Sequence, residues 1–235
     1  MRLENIHAIV TGGGSGIGTA IAKALAVEGA RLTLVGRRRE ALEAAAAAIP
    51  GAIAMPADVT DRASVDAAFA AARAAHGPIG ILVNNAGIAP SAPFAKTTAE
   101  AWRTTLATNL DALFHCCQAA LADLLAASAG RIVTVASTAG MKGYGYTAPY
   151  VASKHGAIGL MRALAAEFAT TPLTANALCP GFADTEIVAT AIAKALAVEG
   201  ARLTLVGRRR EALEAAAAAK PKRSPNSRAT IPRSG

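Results

Sequence analysis

The chain is poor in cysteine, with three in 235 residues, and two of them are adjacent at Cys116 and Cys117. So few thiols cannot form the disulfide framework of a small secreted domain. The first ten residues carry Glu4 and His7 and include no apolar stretch followed by a cleavage site, so we expect no signal peptide. These two observations favour a reducing, cytoplasmic compartment.

Long uncharged apolar runs are also missing. None reaches the roughly 18 residues of a membrane-spanning helix, so we expect no membrane partner. Charged residues make up 17% of the chain and hydrophobic residues 53%. This balance excludes global disorder and provides for a large core. A length of 235 residues suits one α/β domain, or two small ones at most.

The net charge of +8 is concentrated towards the C-terminal end. Residues 1–190 contain 14 Lys and Arg against 13 Asp and Glu, whereas residues 191–235 contain 10 against 3. Because the basic character does not belong to the main body, we expect no nucleic acid as partner. A contact between the basic tail and nucleic acid is an alternative, which salt-sensitive binding by the tail alone would support.

The chain contains an identical internal repeat, with one copy near each end. Residues 190–219 have the same thirty letters as residues 19–48. Repeat proteins diverge between copies and have at least three units, so one perfect copy indicates a recent duplication or recombination. Residues 220–235 are rich in Pro, Ser and Arg without apolar periodicity, which predicts a disordered tail. We therefore predict a main domain over 1–190, a duplicated segment over 191–219 and the tail.

Short apolar strands alternate with helices along the main domain. The predicted strands are His7–Val10, Arg31–Val35, Ala52–Met55, Ile79–Val83, Arg131–Val135 and Thr174–Cys179. The predicted helices are Ile17–Glu28, Arg38–Ala48, one capped by Asp61 and ending at His76, one from Thr97 or Thr98 to Ala127, and Pro149–Ala169. This alternation predicts an α/β fold with a parallel sheet covered on both faces, doubly wound and Rossmann-type.

A glycine-rich segment, TGGGSGIG at residues 11–18, lies between the first strand and the first helix. Glycine lets the backbone turn tightly and lets a pyrophosphate approach, while the helix N-terminus supplies amides and the positive end of a dipole. A glycine-rich turn alone is a weak signal. Its place between strand one and helix one favours a dinucleotide site over a plain structural turn.

The spacing T-G-x-x-x-G-x-G and the motifs that follow it resemble the short-chain dehydrogenases and reductases. In chain order these motifs are Asp58-Val59, Asn84-Asn85-Ala86-Gly87, Asn109, Ser137, the segment YVASK from Tyr150 to Lys154, and Pro180-Gly181. The resemblance covers about residues 1–188. It implies an oxidoreductase that transfers hydride between a nicotinamide cofactor and a small-molecule ketone or secondary alcohol.

The residue types at Tyr150 and Lys154 suit acid–base chemistry, because four residues along a helix place them on one face. A phenol titrating near pH 10 is a poor acid or base at pH 7, but a nearby ammonium group lowers that pKa. The resemblance implies that Tyr150 exchanges a proton with the substrate oxygen, that Ser137 orients this oxygen, and that Lys154 also holds the nicotinamide ribose. It implies that Asn109 holds a water of a proton relay; a satisfied buried amide is the alternative.

The resemblance also implies a set of cofactor contacts. They are Gly12, Ser15, Gly16, Ile17, Gly18, Arg37, Asp58, Val59, Asn85, Ala86, Gly87, Tyr150, Lys154, Pro180, Gly181, Ala183 and Thr185. No metal site is predicted, because the adjacent cysteines lack metal-ligand spacing and are expected to be core thiols.

The choice of cofactor depends on the end of strand two, where NAD-preferring members carry an acidic residue. This chain has Gly36 there, followed by Arg37. No carboxylate would repel a 2′-phosphate and Arg37 can grip one bidentately, so NADP(H) is favoured over NAD(H). Arg38 and Arg39 are expected at a solvated helix start. Ser15 favours the opposite choice, because many NADP-using members carry a basic residue at that position.

The segment Met141–Thr147 and the residues after Pro180 are expected to line the substrate pocket. These segments are similar to those of acyl-thioester and polyketide ketoreductases, which favours a 3-oxoacyl thioester as substrate. Substrate is, however, the least transferable property of a fold.

The C-terminus departs from the family pattern. The duplicated segment stands where family members have a lid and a seventh strand, so we expect that strand to be replaced or missing. Arg202–Val206 is a candidate replacement strand beside strand six. A shortened lid leaves an alternative function open, a rearranged member that binds nucleotide without turnover. The long helices over 98–127 and 149–169, which build the family's main dimer interface, are intact. We therefore expect a homodimer and doubt the tetramer.

Overall fold

The computed structural model of the chain describes residues 2–181. Within that range six strands alternate with helices. The strands are β1 (His7–Thr11), β2 (Arg31–Gly36), β3 (Ala52–Pro56), β4 (Ile79–Asn84), β5 (Arg131–Val135) and β6 (Thr174–Leu178). The α-helices are α1 (Gly16–Val27), α2 (Arg39–Ala47), α3 (Arg62–His76), α4 (Ala99–Leu106), α5 (Ala112–Ala126) and α6 (Ala148–Glu167).

The six strands form one parallel sheet with the order β3-β2-β1-β4-β5-β6. The chain builds outward from β1 to β3, then returns to place β4 against the other side of β1. This is the doubly wound, Rossmann-type order, and it confirms the predicted fold class. In such sheets ligands bind beyond the carboxyl ends of the strands, at the point where the strand order reverses.

Two apolar layers sandwich the sheet. On one side α1 and α2 bury Ile21, Leu25 and Leu42 against the sheet, and on the other side α3, α5 and α6 bury Phe69, Leu124 and Met161. Successive strand residues alternate between the layers, because side chains along a strand point to opposite faces. All five residues of β1 are buried, as expected for a central strand covered on both faces. The two helix layers fix the strand ends where the loops begin.

Local signals in the sequence place several helix ends. The Asp61 carboxylate accepts a hydrogen bond from the backbone N–H of Ala63 at 3.0 Å and begins α3, as predicted. The Thr98 hydroxyl accepts one from Ala101 at 3.0 Å and begins α4. Gly77 ends α3 with a φ of 82°, a conformation that glycine adopts readily.

The predicted long helix from Thr98 to Ala127 is interrupted. A π-helical stretch, Ala107–Asp111, joins α4 to α5. Apolar periodicity did not predict this stretch, because a single widened turn leaves the helical pattern on both sides intact. Such π-turns are rare and are frequently found at functional sites.

Parts of the prediction lie outside the described residues. These are the duplicated segment 191–219, the candidate strand Arg202–Val206 and the tail 220–235, so the three-part division stays a prediction. Among residues 2–181, no helix is both long and apolar enough to cross a membrane.

Candidate active site

Two cavities lie beyond the carboxyl ends of the strands. The first, of about 370 Å³, is the glycine-loop cavity, and its lining follows β1 to β4. Its wall includes Gly12, Ser15, Ile17, Gly36, Arg37, Arg38, Asp58, Val59, Asn85, Ala86 and Gly87. The second, of about 390 Å³, is the tyrosine cavity, lined by Ala89, Ser137, Thr138, Ala139, Tyr144, Gly145, Thr147, Tyr150 and Gly181. The structure thus divides the predicted site residues between two neighbouring groups of loops.

The glycine loop turns where a side chain would not fit. Gly12 has a φ of 65°, and its N–H donates to the carbonyl of Val35 at 2.7 Å. A Cβ added at Gly18 would collide with the carbonyl oxygen of Gly12 and lie 2.7 Å from the side chain of Asn85. Gly18 therefore lets the start of α1 pack directly on the loop.

The N-terminus of α1 is built to face an anion. Gly16 begins the helix with a φ of 55°, and a Cβ added there would meet nothing within 4 Å. The Ser15 hydroxyl accepts a hydrogen bond from the Arg38 guanidinium at 2.9 Å and does not cap the helix. The first amides of α1 and the positive end of its dipole suit a phosphate group. The residues present fit a dinucleotide cofactor at this position.

The residues after β4 hold the glycine loop in place. The Asn85 side chain donates to the carbonyls of Thr11 and Gly12 at 3.2 and 3.3 Å. The backbone N–H groups of Asn85 and Ala86 donate to the Thr11 hydroxyl at 3.0 and 3.1 Å. The predicted contact residue Asn85 therefore fixes the loop while it also lines the cavity.

Asp58 presents a charged carboxylate after β3. Its Oδ1 accepts hydrogen bonds from the backbone N–H and the hydroxyl of Thr60, at 2.9 and 2.7 Å. These two bonds lower the pKa of the Asp58 carboxyl, with a smaller contribution from the charge of Arg37. Val59, next in the chain, is buried in the core layer beneath. Asp58 is therefore an ionised acceptor in the cavity wall.

The three arginines after β2 separate into two roles. Arg37 and Arg38 both line the glycine-loop cavity. Arg39 points along the exposed face of α2 and pairs with Glu43 at 3.5 Å. The sequence singled out Arg37 and treated Arg38 as solvated, because a run of arginines does not show which one reaches Ser15.

The tyrosine cavity brings Ser137 and Tyr150 together from β5 and α6. The Ser137 side chain accepts a hydrogen bond from the N–H of Ala139 at 3.1 Å, at the start of a short 3₁₀ turn. Its own O–H can be turned towards a ligand oxygen, since a hydroxyl both donates and accepts. Tyr150 lies one turn before Lys154 on α6, and both Ser137 and Tyr150 line this cavity.

Lys154 is a buried positive charge behind Tyr150. The side chain is 6% exposed, and Nζ donates to the carbonyl of Val135 at 2.8 Å and lies 5.7 Å from the ring centroid of Tyr150. Burial lowers the pKa of Lys154 to about 8. The ammonium form therefore still predominates at pH 7, so a positive charge lies beside the ring of Tyr150.

Asn109 is placed by the π-turn and fully engaged. Its Oδ1 accepts from the N–H of Ile88 at 2.8 Å, and its Nδ2 donates to the carbonyl of Ile88 at 2.8 Å and to the hydroxyl of Ser153 at 3.1 Å. The side chain is that of a satisfied buried amide, the alternative raised by the sequence. It ties the residues after β4 to α6, and its role in holding a water stays a prediction.

The motifs did not single out Thr138, and they did not pair it with Tyr144 at the tyrosine cavity. Thr138 and Tyr144 both line it, and their hydroxyl oxygens lie 3.0 Å apart. The predicted wall segment Met141–Thr147 did include Tyr144, but no spacing rule pairs it with Thr138. Gly181 also lines this cavity, and Pro180 accepts a hydrogen bond from the N–H of Thr138 at 3.0 Å. The predicted cofactor contacts Ala183 and Thr185 lie outside the described residues.

The cysteines do not contribute reactive groups at neutral pH. Burial raises the pKa of Cys116 to about 12 and that of Cys117 to about 11, so both stay protonated thiols within the core. Among residues 2–181, no cluster of three or more His, Cys, Asp or Glu side chains could hold a metal ion.

Comparisons with known proteins agree on one family. A family model described as short chain dehydrogenase matches residues 6–191. Galactitol 2-dehydrogenase (L-tagatose-forming) of Cereibacter sphaeroides is 42% identical over 190 residues, which cover 79% of this chain and 74% of that protein. The 3-oxoacyl-[acyl-carrier-protein] reductase MabA of Mycobacterium tuberculosis is 36% identical over 179 residues, covering 76% and 70%.

Among solved structures, a variant of the actinorhodin polyketide ketoreductase crystallised with NADPH superimposes with a TM-score of 0.81. It is 31% identical in sequence, and the match covers 85% of this chain and 93% of that one.

Proposed function

Because the chain belongs to the short-chain dehydrogenase family and is an oxidoreductase, we propose that it transfers hydride between NADP(H) and a ketone or secondary alcohol, with 3-oxoacyl thioesters as the substrate class. The observation that carries the proposal is the arrangement at the tyrosine cavity. Ser137 and Tyr150 line one cavity, and the Lys154 ammonium group lies buried against the ring of Tyr150.

In the reductive direction, each of these residues has a separate task. Ser137 donates a hydrogen bond to the ketone oxygen and orients it. Tyr150 donates its phenolic proton to the same oxygen as negative charge develops there. Lys154 stabilises the phenolate left on Tyr150, because an ammonium group in a poorly solvated site interacts strongly with a neighbouring anion. A nicotinamide cofactor, when bound, supplies the hydride.

The glycine-loop cavity is the proposed cofactor site. The amides at the start of α1 would hold the pyrophosphate, while Gly12 and Gly18 keep the loop close to the helix. Ile17, Asp58, Val59, Asn85, Ala86 and Gly87 form further parts of the same wall. Gly16 begins the helix beside it, and Lys154 would reach the nicotinamide ribose. Pro180, Gly181, Ala183 and Thr185 stay proposed contacts on the other side.

The two arginines on this wall support NADP(H) over NAD(H). Many NADP-using relatives carry a basic residue at the position of Ser15, and here the Ser15 hydroxyl binds the guanidinium of Arg38. Arg38 therefore brings a positive charge next to Ser15, which is itself uncharged. Together with Arg37 it would bind a 2′-phosphate, and the three positions directly after β2 are arginines, with no carboxylate there to repel one.

Two observations support the substrate class. The matched relatives include a 3-oxoacyl reductase and a polyketide ketoreductase, and the cavity wall combines small apolar residues with the hydroxyls of Ser137 and Tyr150. A polyol dehydrogenase is also among the relatives, so a small polyhydroxy alcohol is the second candidate. Its turnover by the same residues in the oxidative direction would distinguish it.

A homodimer is proposed on the face of α5 and α6. Phe114 is 49% exposed there, beside a groove of about 350 Å³ lined by Leu110 and Leu160. Thr60, Asp111 and His115 also line this groove, and an exposed aromatic residue in a groove that mixes apolar and polar side chains is a surface that a second copy can cover. A monomer in sedimentation equilibrium at micromolar concentration would contradict this assembly.

The proposed function is tested by following NADPH consumption with a panel of 3-oxoacyl thioesters and simple ketones. We expect Tyr150→Phe to lower kcat/KM by about 10²- to 10⁴-fold, the range for a lost general acid, with cofactor affinity retained. Tyr146→Phe is the matched control, because Tyr146 is 68% exposed and does not line the cavity. Cofactor binding without turnover of any ketone or alcohol would instead support the nucleotide-binding alternative.

A further inference from the structure

The tyrosine cavity contains a second pair of hydroxyl groups besides Ser137 and Tyr150. The Thr138 Oγ1 and the phenolic oxygen of Tyr144 lie 3.0 Å apart, and both residues line the cavity. Thr138 directly follows Ser137, so their Cα atoms are about 3.8 Å apart across a trans peptide. Two adjacent residues that carry hydroxyl groups therefore line the same cavity.

Thr138 is held firmly by its backbone. Its N–H donates to the carbonyl of Pro180 at 3.0 Å, and its carbonyl accepts from the N–H groups of Met141 and Lys142 at 3.0 and 3.2 Å. These bonds tie the residue to the loop after β6 on one side and to its own 3₁₀ turn on the other. The backbone of Thr138 is thus fixed at the cavity wall, and its hydroxyl is held by the hydrogen bond with Tyr144.

Tyr144 is held from two directions. The ammonium of Lys142 lies 5.1 Å from its ring centroid, and its carbonyl accepts a hydrogen bond from the Thr147 hydroxyl at 3.1 Å. A phenol is much more acidic than an aliphatic alcohol, so it is the better donor of the two hydroxyls. With Tyr144 as the donor of this hydrogen bond, the hydrogen of the Thr138 hydroxyl is available to a ligand in the cavity.

The other lining residues make this pair distinctive. Apart from the hydroxyls, the wall consists largely of small residues such as Ala89, Ala139 and Gly145. A ketone needs one oxygen-binding position, which Ser137 and Tyr150 supply. A second hydroxyl donor beside Ser137 suits a substrate that has a second oxygen close to its ketone.

We propose that the Thr138 hydroxyl, oriented by Tyr144, binds the thioester carbonyl of a 3-oxoacyl thioester while Ser137 and Tyr150 bind the ketone oxygen. This inference rests on the proposed function. In such a substrate one methylene separates the two carbonyl groups, so their oxygens lie within a few ångströms of each other, as two adjacent residues require. Thr138 is a binding residue for the second oxygen, and Tyr144 is a positioning residue that acts through it.

The test compares two substrates that differ in one group. The first is a short 3-oxoacyl thioester, and the second is the same molecule with the thioester carbonyl replaced by methylene. Tyr144→Phe keeps the ring and its contact with Lys142 but removes the hydroxyl. We expect KM for the thioester to rise about fivefold to tenfold, as for one neutral hydrogen bond. The kcat for the thioester and both constants for the carbonyl-free ketone should stay within twofold, because the lost contact binds ground state and transition state alike.

Two further variants separate positioning from packing. Thr138→Val should raise KM for the thioester as Tyr144→Phe does. The double variant should be no worse than Thr138→Val alone, because Tyr144 acts through Thr138. Tyr146→Phe lies in the same loop and should leave both substrates unaffected. Thermal melts of all variants report whether the loop is intact.

Each other result overturns the inference. An equal loss for both substrates would make the hydroxyl pair a structural tie of the loop, and no loss for either would deny it any contact with substrate. Wild-type protein that reduces both ketones equally well would refute the second-oxygen subsite while leaving the ketoreductase function intact. Wild-type protein that reduces neither would remove the proposed function, and this inference with it.

Discussion

At the scale of single residues, the contact between Arg38 and Ser15 changes how cofactor preference is understood. Ser15 lacks the positive charge that many NADP-using relatives have at that position. The Arg38 guanidinium reaches it from the start of α2, with a hydrogen bond of 2.9 Å. Arg39, one residue further along, does not line the cavity and pairs with Glu43. Two neighbouring arginines thus provide a test residue and its control.

We expect Arg38→Ala to raise the Kd for NADPH by about 10- to 100-fold and to leave the Kd for NADH within about twofold. The reason is that a charged hydrogen bond to a 2′-phosphate contributes about 1.5–3 kcal/mol, and NADH has no such group. Fluorescence titration of the two reduced cofactors measures both constants.

The matched control for this substitution is Arg39→Ala. It removes the same charge from the same helix start, at a residue that does not line the cavity. An equal weakening by both variants would show a general electrostatic effect instead of a phosphate contact. An equal loss of both cofactors with Arg38→Ala would show that Arg38 supports the loop.

At the scale of structural elements, the glycine loop and the start of α1 act as one unit. Asn85 holds the loop from β4, and the Thr19 hydroxyl donates to the carbonyl of Gly13 at 2.8 Å from within α1. Gly18 lies at the closest approach, where an added Cβ would collide with the carbonyl of Gly12. The first amides of α1 can therefore lie close to the loop only because Gly18 has no side chain.

We expect Gly18→Ala to raise the Kd for either reduced cofactor by at least tenfold. The added methyl group forces the loop away from the helix, at a cost of about 1–3 kcal/mol for overpacking, and the amides move with it. Isothermal titration calorimetry measures the change. Lys23→Gly is the control, because it destabilises an exposed position of the same helix by about 1 kcal/mol without touching the loop. A similar loss of affinity in Lys23→Gly would mean that helix stability alone accounts for the effect.

The π-turn between α4 and α5 is the second element that serves the site. It contains Asn109, which is 1% exposed and bonded to both backbone groups of Ile88. The Cβ that an alanine would add at Gly87 would lie 3.3 Å from Asn109 Oδ1 and 3.7 Å from Lys154 Nζ. The turn therefore brings the loop after β4 close to the ammonium group of Lys154.

At the scale of the whole molecule, strand order brings the two cavities together. The glycine loop follows β1, Asn85 follows β4, Ser137 follows β5 and Gly181 follows β6. These strands are neighbours in the order β1-β4-β5-β6, so residues up to 169 positions apart in the chain meet at one edge. A ligand that contacts several of these loops stabilises the whole sheet.

We expect NADPH to raise the Tm of the protein more than the same concentration of NADH does. A ligand at about 100 times its Kd adds roughly 2.7 kcal/mol to the folded state, which is about 5–10 °C in Tm for a domain of this size. Differential scanning calorimetry with each cofactor measures the difference. A larger rise with NADH would reverse the cofactor assignment, and no rise with either would contradict a nucleotide site.

The sequence by itself determined the six strands, the fold class and the family, although it did not show the π-turn at Ala107–Asp111. Alternating apolar strands and helices, with Asp61, Gly77 and Thr98 as start and stop signals, predicted the six-stranded parallel sheet because those signals act within a few residues. The glycine-rich segment and the Tyr150–Lys154 pair predicted the two halves of the candidate site for the same reason, and their roles stay predictions. Local periodicity and short spacings hold this information directly.

Only the tertiary structure decided which side chains meet. Arg38 reaches Ser15 across 23 positions, and Asn109 reaches Ile88 across 21. The hydroxyls of Thr138 and Tyr144, six positions apart in a loop, meet for the same reason. None of these pairs follows a helical or strand period, because loop path, rotamer and the packing of neighbouring elements fix them together. The sheet sets where the strands end, and the loops beyond those ends decide what the site can recognise.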